Sequence, residues 1–152
     1  MPHIRVVTRI VAPIAVCFDF SRDIDLHVKS QAASGERAIA GRTSGLIELG
    51  ETVTWEAKHL GVRQRFTSKI TAFDRPHHFR DEMVKGAFRF FRHDHRFEEI
   101  NGETEMVDDL EFRSPLGPLG WLVDRAFMTR YLTQLLADRG LVIKCAAEPT
   151  RR

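Results

Sequence analysis

Phe91-Arg92-His93-Asp94-His95-Arg96-Phe97-Glu98-Glu99, then Ile100-Asn101-Gly102, then Glu103-Thr104-Glu105-Met106-Val107-Asp108-Asp109-Leu110-Glu111-Phe112-Arg113 is the stretch that decides the fold. Successive side chains of a strand point to opposite faces, so a period of two separates a wet face from a packed one. In the run Arg89–Glu99 the even positions Arg92, Asp94, Arg96 and Glu98 are all charged and read as solvent-facing. Phe91, His93, His95 and Phe97 then face inward. In Glu103–Arg113 the outer set is Glu103, Glu105, Asp109, Glu111 and Arg113, and the inner set is Thr104, Met106, Asp108, Leu110 and Phe112. Asn-Gly between two such runs signals a two-residue hairpin turn. That turn pairs Ile100 with Glu103, and the register sets His95 opposite Asp108.

Upstream, the same alternation gives three more strands, Thr52–Leu60, Val62–Phe73 and His78–Val84. Their inward positions include Val53, Trp55, Ala57 and His59, then Gln64, Phe66, Ser68, Ile70 and Ala72, then Phe79, Asp81 and Met83. The links between strands are short (Gly61; Asp74-Arg75-Pro76; Lys85-Gly86-Ala87-Phe88), which implies an antiparallel meander. Before them, His3–Ala12 reads as a strand, and Pro13 opens a short helix over Ile14–Phe20. Asp23 caps a second short helix over Ile24–Ser30, and Glu36–Ala40 is a short strand. After the meander, Ser114-Pro115-Leu116-Gly117-Pro118-Leu119-Gly120 breaks the pattern. Trp121–Arg139 is then helical with a broad apolar stripe through Leu122, Ala126, Phe127, Tyr131 and Leu135. Gly140 reads as its cap or a kink. The breaker loop reads as an elbow that aims the helix or as part of a pocket gate.

The order predicts one α+β domain over residues 1–147, with 148–152 a frayed tail. In it, a curved antiparallel sheet wraps around a long C-terminal helix, with two short helices after the first strand. The 152-residue length suits a single domain. Basic and acidic side chains nearly balance, 23 against 21, so no nucleic-acid partner is expected. No apolar run is long enough for a membrane span. Met1–Arg5 lacks the pattern of a secretion signal, and the two cysteines, Cys17 and Cys145, read as reduced, packed thiols. A cytoplasmic location is therefore the expectation. Neither a phosphate-cradling glycine loop nor a G-x-S-x-G elbow occurs. Oligomeric state stays open between monomer and homodimer.

The element order resembles the helix-grip fold of the START / Bet v 1-like superfamily, also known as SRPBCC or polyketide cyclase/dehydrase-like. The local marks are the opening strand followed by Pro13-Ile14-Ala15-Val16-Cys17-Phe18-Asp19-Phe20, then Val53-Thr54-Trp55-Glu56-Ala57, the region Phe91–Phe97, and Pro115-Leu116-Gly117. The resemblance covers nearly the whole chain. It implies a fold with an internal pocket and leaves the chemistry open, because no catalytic signature belongs to the superfamily as a whole.

The inner face is apolar with His59, Gln64, Asp81, His93, His95 and Asp108 set into it. For His95 and Asp108 three readings stand: a satisfied buried pair that orders the sheet, a ligand-orienting group, or a proton-transfer pair in which Asp108 raises the basicity of His95. Leaving either group buried alone costs on the order of 1–3 kcal/mol, so pairing needs no function to explain it. His93-x-His95 with His59 and Asp81 has ligand types for a metal, but no cysteine joins them and no tight ligand spacing is present. No metal or cofactor is expected. Trp55 reads as a core or pocket-wall residue.

The expected function is binding of a small, mostly apolar ligand such as a lipid, polyketide or aromatic metabolite. Its contacts would be Trp55, His59, Gln64, Phe66, Phe79, Asp81, Phe91, His93, Met106, Phe127 and Tyr131. The alternative is a cyclase/dehydratase-type enzyme, which the resemblance permits, with His95 and Asp108 as the catalytic base pair. A protein-interaction module is a third class, and no sequence feature favours it.

Overall fold

The computed structural model describes residues 1–149. Thr150–Arg152, part of the expected tail, lie outside the described residues. Seven antiparallel strands form one sheet in the order β1-β7-β6-β5-β4-β3-β2. They are β1 (His3–Ile10), β2 (Arg37–Gly41), β3 (Thr52–His59), β4 (Val62–Asp74), β5 (His78–Lys85), β6 (Phe90–Ile100) and β7 (Glu103–Arg113). The β6–β7 register is the one read from Asn101-Gly102: Ile100 pairs with Glu103 and His95 with Asp108. Both turn residues have positive φ, 53° and 79°, as a type I′ hairpin requires. Register shifts between Thr67 and Ser68, and between Ile70 and Ala72, break the β4–β5 ladder, and such bulges bend a sheet.

Helices α1 (Ile14–Ser21) and α2 (Ile24–Ser30) follow β1. Asp23 caps α2, accepting from the backbone N–H groups of Asp25 and Leu26 at 2.9 and 3.1 Å. The C-terminal helix departs from its expected bounds at both ends. It begins as α3 (Gly117–Val123), passes through a π-helical stretch (Asp124–Met128) and continues as α4 (Thr129–Ala147). Pro118 lies in the first turn, where its missing N–H goes unmissed, so half of the supposed breaker loop starts the helix. Gly140 neither caps nor ends α4. It is buried against β1, and a Cβ there would come within 2.5 Å of Thr8 Oγ1. Glu148, assigned to the tail, accepts from Val11 N–H at 3.0 Å and Lys144 Nζ at 2.6 Å. Cys17 is buried and Cys145 exposed, so only the first is the packed thiol expected of both; both are free.

The core is in two parts. One, under α1 and α2, centres on Phe18, whose ring meets Phe73, Phe79 and Phe97 edge-on at centroid distances of 5.3–5.4 Å. The other, under α4, gathers Ile4, Leu110, Phe112, Leu132 and Leu136. On β7 the inward series runs from Met106 in the first part to Leu110 in the second, and Asp108 stands between them. On α4 it runs from Leu136 to Ile143, and Arg139 stands between them.

The convex face corrects the expectation of a fully solvated charge ladder. Glu56, Asp94 and Asp109 are buried there, each beneath basic side chains. Glu56 takes Arg37, Arg63 and Arg65; Asp94 takes His78 and Arg80; Asp109 takes Arg96 at 2.6 Å with His3 and Arg5 alongside. The long arginine stems cover the carboxylates while their guanidinium groups stay wet.

Candidate ligand-binding site

Asp81, His93, His95 and Asp108 all face inward because they hold the same alternation parity on three neighbouring strands. Backbone register sets Asp81 beside His93 and His95 beside Asp108. The side chains then reach across the diagonals. His93 Nε2 lies 2.9 Å from Asp108 Oδ1, and His95 Nε2 lies 3.0 Å from Asp81 Oδ1. The expected His95–Asp108 approach is present at Nδ1, 3.2 Å from Oδ1. His95 is thus held between two carboxylates, and its second nitrogen is engaged by Asp81, where the sequence had left it open to a ligand. Its ring is also clamped: Phe79 stacks on it at 4.0 Å and 10°, and His93 lies 3.7 Å from it.

Arg139 completes the cluster. Its Nη1 donates to Asp108 Oδ1 at 3.1 Å, and its Nη2 donates to the carbonyl and hydroxyl oxygens of Ser21 at 2.8 and 2.7 Å. Asp108 is fully buried, and burial alone would raise its carboxyl. The Arg139 charge and the His93 and His95 bonds outweigh that and hold it well below the usual carboxylate range. Asp81 is likewise held low against burial, by the His95 bond and the nearby basic groups. Burial, and then His95, push His93 below the ordinary histidine value, against the opposing pull of Asp108 and Asp81.

A cavity of about 370 Å³ opens beside this cluster, between the concave sheet and α4. Trp55, His59, Gln64 and Phe66 line it, as do Phe79, Asp81, Phe91, His93, His95 and Tyr131. Three of the sequence-predicted residues do not. Met106 is fully buried in the core beneath α1. Phe127, on the π-helical stretch, is 48% exposed and stacks on the outside of Tyr131. Asp108 stands behind the two histidines, one layer from the cavity. At the β3–β4 end, His59 Nδ1 and the Tyr131 hydroxyl meet at 2.7 Å and tie the sheet to α4. Burial, and then Glu36, raise the Tyr131 hydroxyl above its ordinary value. The elbow before α3 is fixed by Asp124, which accepts from the N–H and hydroxyl of Ser114.

The model of the family described as polyketide cyclase / dehydrase and lipid transport matches residues 1–142. The chain belongs to that family. Solved structures agree on the fold of this polyketide cyclase / dehydrase family member. TTHA0849 from Thermus thermophilus superposes with a TM-score of 0.74 at 17% identity, covering 97% of this chain and 100% of its own. A START superfamily protein from Mycobacterium smegmatis gives 0.71 at 11% identity, with 95% and 96% covered. Ginseng major latex-like protein 151 from Panax ginseng gives 0.67 at 14%, with 97% and 98% covered. A sequence comparison with curated proteins finds no match. No helix among the described residues is long and apolar enough to cross a membrane.

Sequence reasoning missed Arg139, His27 and Glu36 as cavity residues of this family member. His27 stacks on Trp55 at 4.2 Å and its Nε2 meets Glu36 at 2.6 Å. The signal for Arg139 was there to read: Leu132, Leu136, Arg139 and Ile143 follow the spacing of one helical face, so a cation falls on an apolar stripe.

Proposed function

We propose that the protein holds a small, mostly apolar molecule with a carbonyl or hydroxyl group at one end: a lipid, a polyketide or an aromatic metabolite. The observation that supports this is the cavity itself. Its volume falls within the range of small-molecule sites, about 300–1,000 Å³. Its wall is mainly apolar, and Asp81, His93 and His95 stand at one place on it. Apolar burial supplies affinity, and the polar group selects the end of the ligand that carries oxygen. A small-molecule partner also suits the near-balanced charge, and a cytoplasmic location belongs to the same reading. Native mass spectrometry of the purified protein, with titration by anilinonaphthalene sulfonate, tests it. A co-purified small molecule or stoichiometric dye uptake is expected. Protein that carries nothing from several hosts and takes up no dye would sink the proposal.

A second reading is a cyclase/dehydratase-type enzyme. What favours it is the placing of His95 between two carboxylates on the cavity wall, where its ring is held in one orientation toward a bound carbonyl compound. In that reading His95 Nε2 leaves Asp81 to accept the substrate proton, Asp108 orients the ring from the Nδ1 side, and His93 faces the developing oxyanion. His95→Ala separates the two: it abolishes turnover in an enzyme and only shifts affinity in a binding protein.

A further inference from the structure

Asp108 Oδ1 receives both histidines, His93 through Nε2 at 2.9 Å and His95 through Nδ1 at 3.2 Å. A carboxylate only accepts, so the hydrogen bond to Asp108 places a proton on His93 Nε2. The other nitrogens, His93 Nδ1 and His95 Nε2, both converge on Asp81 Oδ1, at 3.7 and 3.0 Å. These three ligand-type atoms lie within 4.8 Å of one another, on the wall of the cavity. We propose that Asp81, His93 and His95 are the ligands of a divalent first-row metal ion of the zinc type, with its fourth position opening on the cavity.

The geometry fits. Donor atoms around a tetrahedral zinc at about 2.0–2.1 Å lie roughly 3.3–3.4 Å apart, and the two distances to Asp81 Oδ1 bracket that spacing. Two imidazoles and one carboxylate suit zinc, iron or cobalt rather than calcium or magnesium. Asp108 behind both rings is the outer carboxylate that orients metal-binding histidines. Charge agrees as well: the Arg139 guanidinium contacts Asp108, whereas the contacts of Asp81 are to the two imidazoles. All three ligands line the cavity and Asp108 does not, so the open position faces the ligand's oxygen. This turns against the sequence-based expectation of no metal. Ligand types were visible there, but the convergence of Asp81 from β5 on the β6 pair was not. The inference rests on the cavity reading only for where the fourth position points.

The test uses tag-free full-length protein, stripped with a chelator and titrated with cobalt(II), read by its visible ligand-field bands, and then with zinc in competition. One cobalt per chain, displaced by zinc, is expected. Asp81→Asn and His95→Ala should abolish the spectrum, and Asp108→Asn should weaken binding by about 10–100-fold. His77→Ala, at an exposed histidine outside the cluster, should leave it unchanged. Circular dichroism confirms that each variant is folded. Stripped protein that takes up anilinonaphthalene sulfonate but no cobalt would overturn the metal site and leave the cavity reading standing. Cobalt binding that survives Asp81→Asn and His95→Ala would place the ion on other histidines and overturn it as well. Cobalt binding that needs both residues, in protein that takes up no dye, supports the metal site and removes the cavity reading.

Discussion

Arg139 Nη1 of α4 meets Asp108 Oδ1 of β7 at 3.1 Å, both side chains out of water, at the seam between the two halves of the core. The same guanidinium grips Ser21 at the end of α1. One side chain therefore fixes the long helix to the sheet and to the helical pair, and it sets the oxygen on which both histidines turn. Asp108 Oδ2 has no hydrogen-bond partner among the described residues, so the carboxylate depends on the donors at Oδ1.

Arg139→Met should therefore be severe. It leaves the Asp108 charge buried without its counter-ion, a change that typically costs about 3–5 kcal/mol. Arg139→Lys should restore only part of that, since an ammonium cannot serve Asp108 and Ser21 with a planar fork. Adding Asp108→Asn to Arg139→Met removes the stranded charge and should recover part of the loss. Urea unfolding of the four proteins checks the series. A loss below about 1 kcal/mol for Arg139→Met, the scale of an exposed pair, would contradict the role given to it.

Acid should weaken the link between α1 and the β4–β5 turn. The hydrogen bonds from Arg75 hold the Asp19 carboxyl below its ordinary value; burial opposes them and Arg22 adds to them. Arg75 approaches at 2.6 and 3.0 Å, and Arg22 at 3.0 Å while also holding Glu48. A carboxyl with a lowered folded-state pKa stabilises the fold fully above its unfolded value, near about 3.9, and loses that contribution as pH falls through the folded value. Asp19→Asn should be less stable than the parent at neutral pH and should lose less stability on acidification. Urea midpoints from about pH 6 down to about pH 3 measure this. Parallel curves for the two proteins would refute the assignment.

Gly140 tests how closely α4 sits on β1. In an open helix, Gly→Ala gains up to about 1 kcal/mol. Here the new methyl would meet Thr8 Oγ1 at 2.5 Å, and overpacking costs typically about 1–3 kcal/mol. Gly140→Ala should thus lower thermal stability in the parent and raise it in a Thr8→Ala background. Stabilisation in both backgrounds would mean that Thr8 simply rotates away.

Much of this site was legible in the sequence, and the part that was not has a physical reason. Alternation of Arg92, Asp94 and Arg96 fixed the inner face, and Asn101-Gly102 fixed the His95–Asp108 register, because a two-residue turn leaves no slack. Register, however, names backbone neighbours and not side-chain partners. Imidazoles are long enough to cross the diagonal, so His93 took Asp108 and His95 took Asp81. The β5–β6 link, Lys85 to Phe88 with Arg89, carries no turn signal of known length, so Asp81 could not be placed beside His93. Nor does a meander announce that the convex carboxylates Glu56, Asp94 and Asp109 are sealed under arginine stems. Outer position and exposure are different properties once long side chains lie over a curved sheet.

Asp81 is the carboxylate of the cluster that reaches the cavity, with 19% of its side chain exposed against none for Asp108. It should therefore govern selectivity for a ligand's polar end and leave apolar affinity alone. Naphthol and naphthalene form a pair matched in shape that differs by one hydroxyl. Asp81→Ala should weaken naphthol by about 0.5–1.5 kcal/mol, the net worth of one hydrogen bond, and leave naphthalene within error. Phe66→Ala, on the apolar wall, should weaken both alike. Displacement of a bound dye by each compound reads the two affinities in the same protein. Equal losses for both compounds in Asp81→Ala would mean that the cavity as a whole had collapsed. No loss for either would mean that the hydroxyl binds elsewhere, and the polar end of the site would then have to be sought at the His27–Glu36 or His59–Tyr131 pair on the same wall.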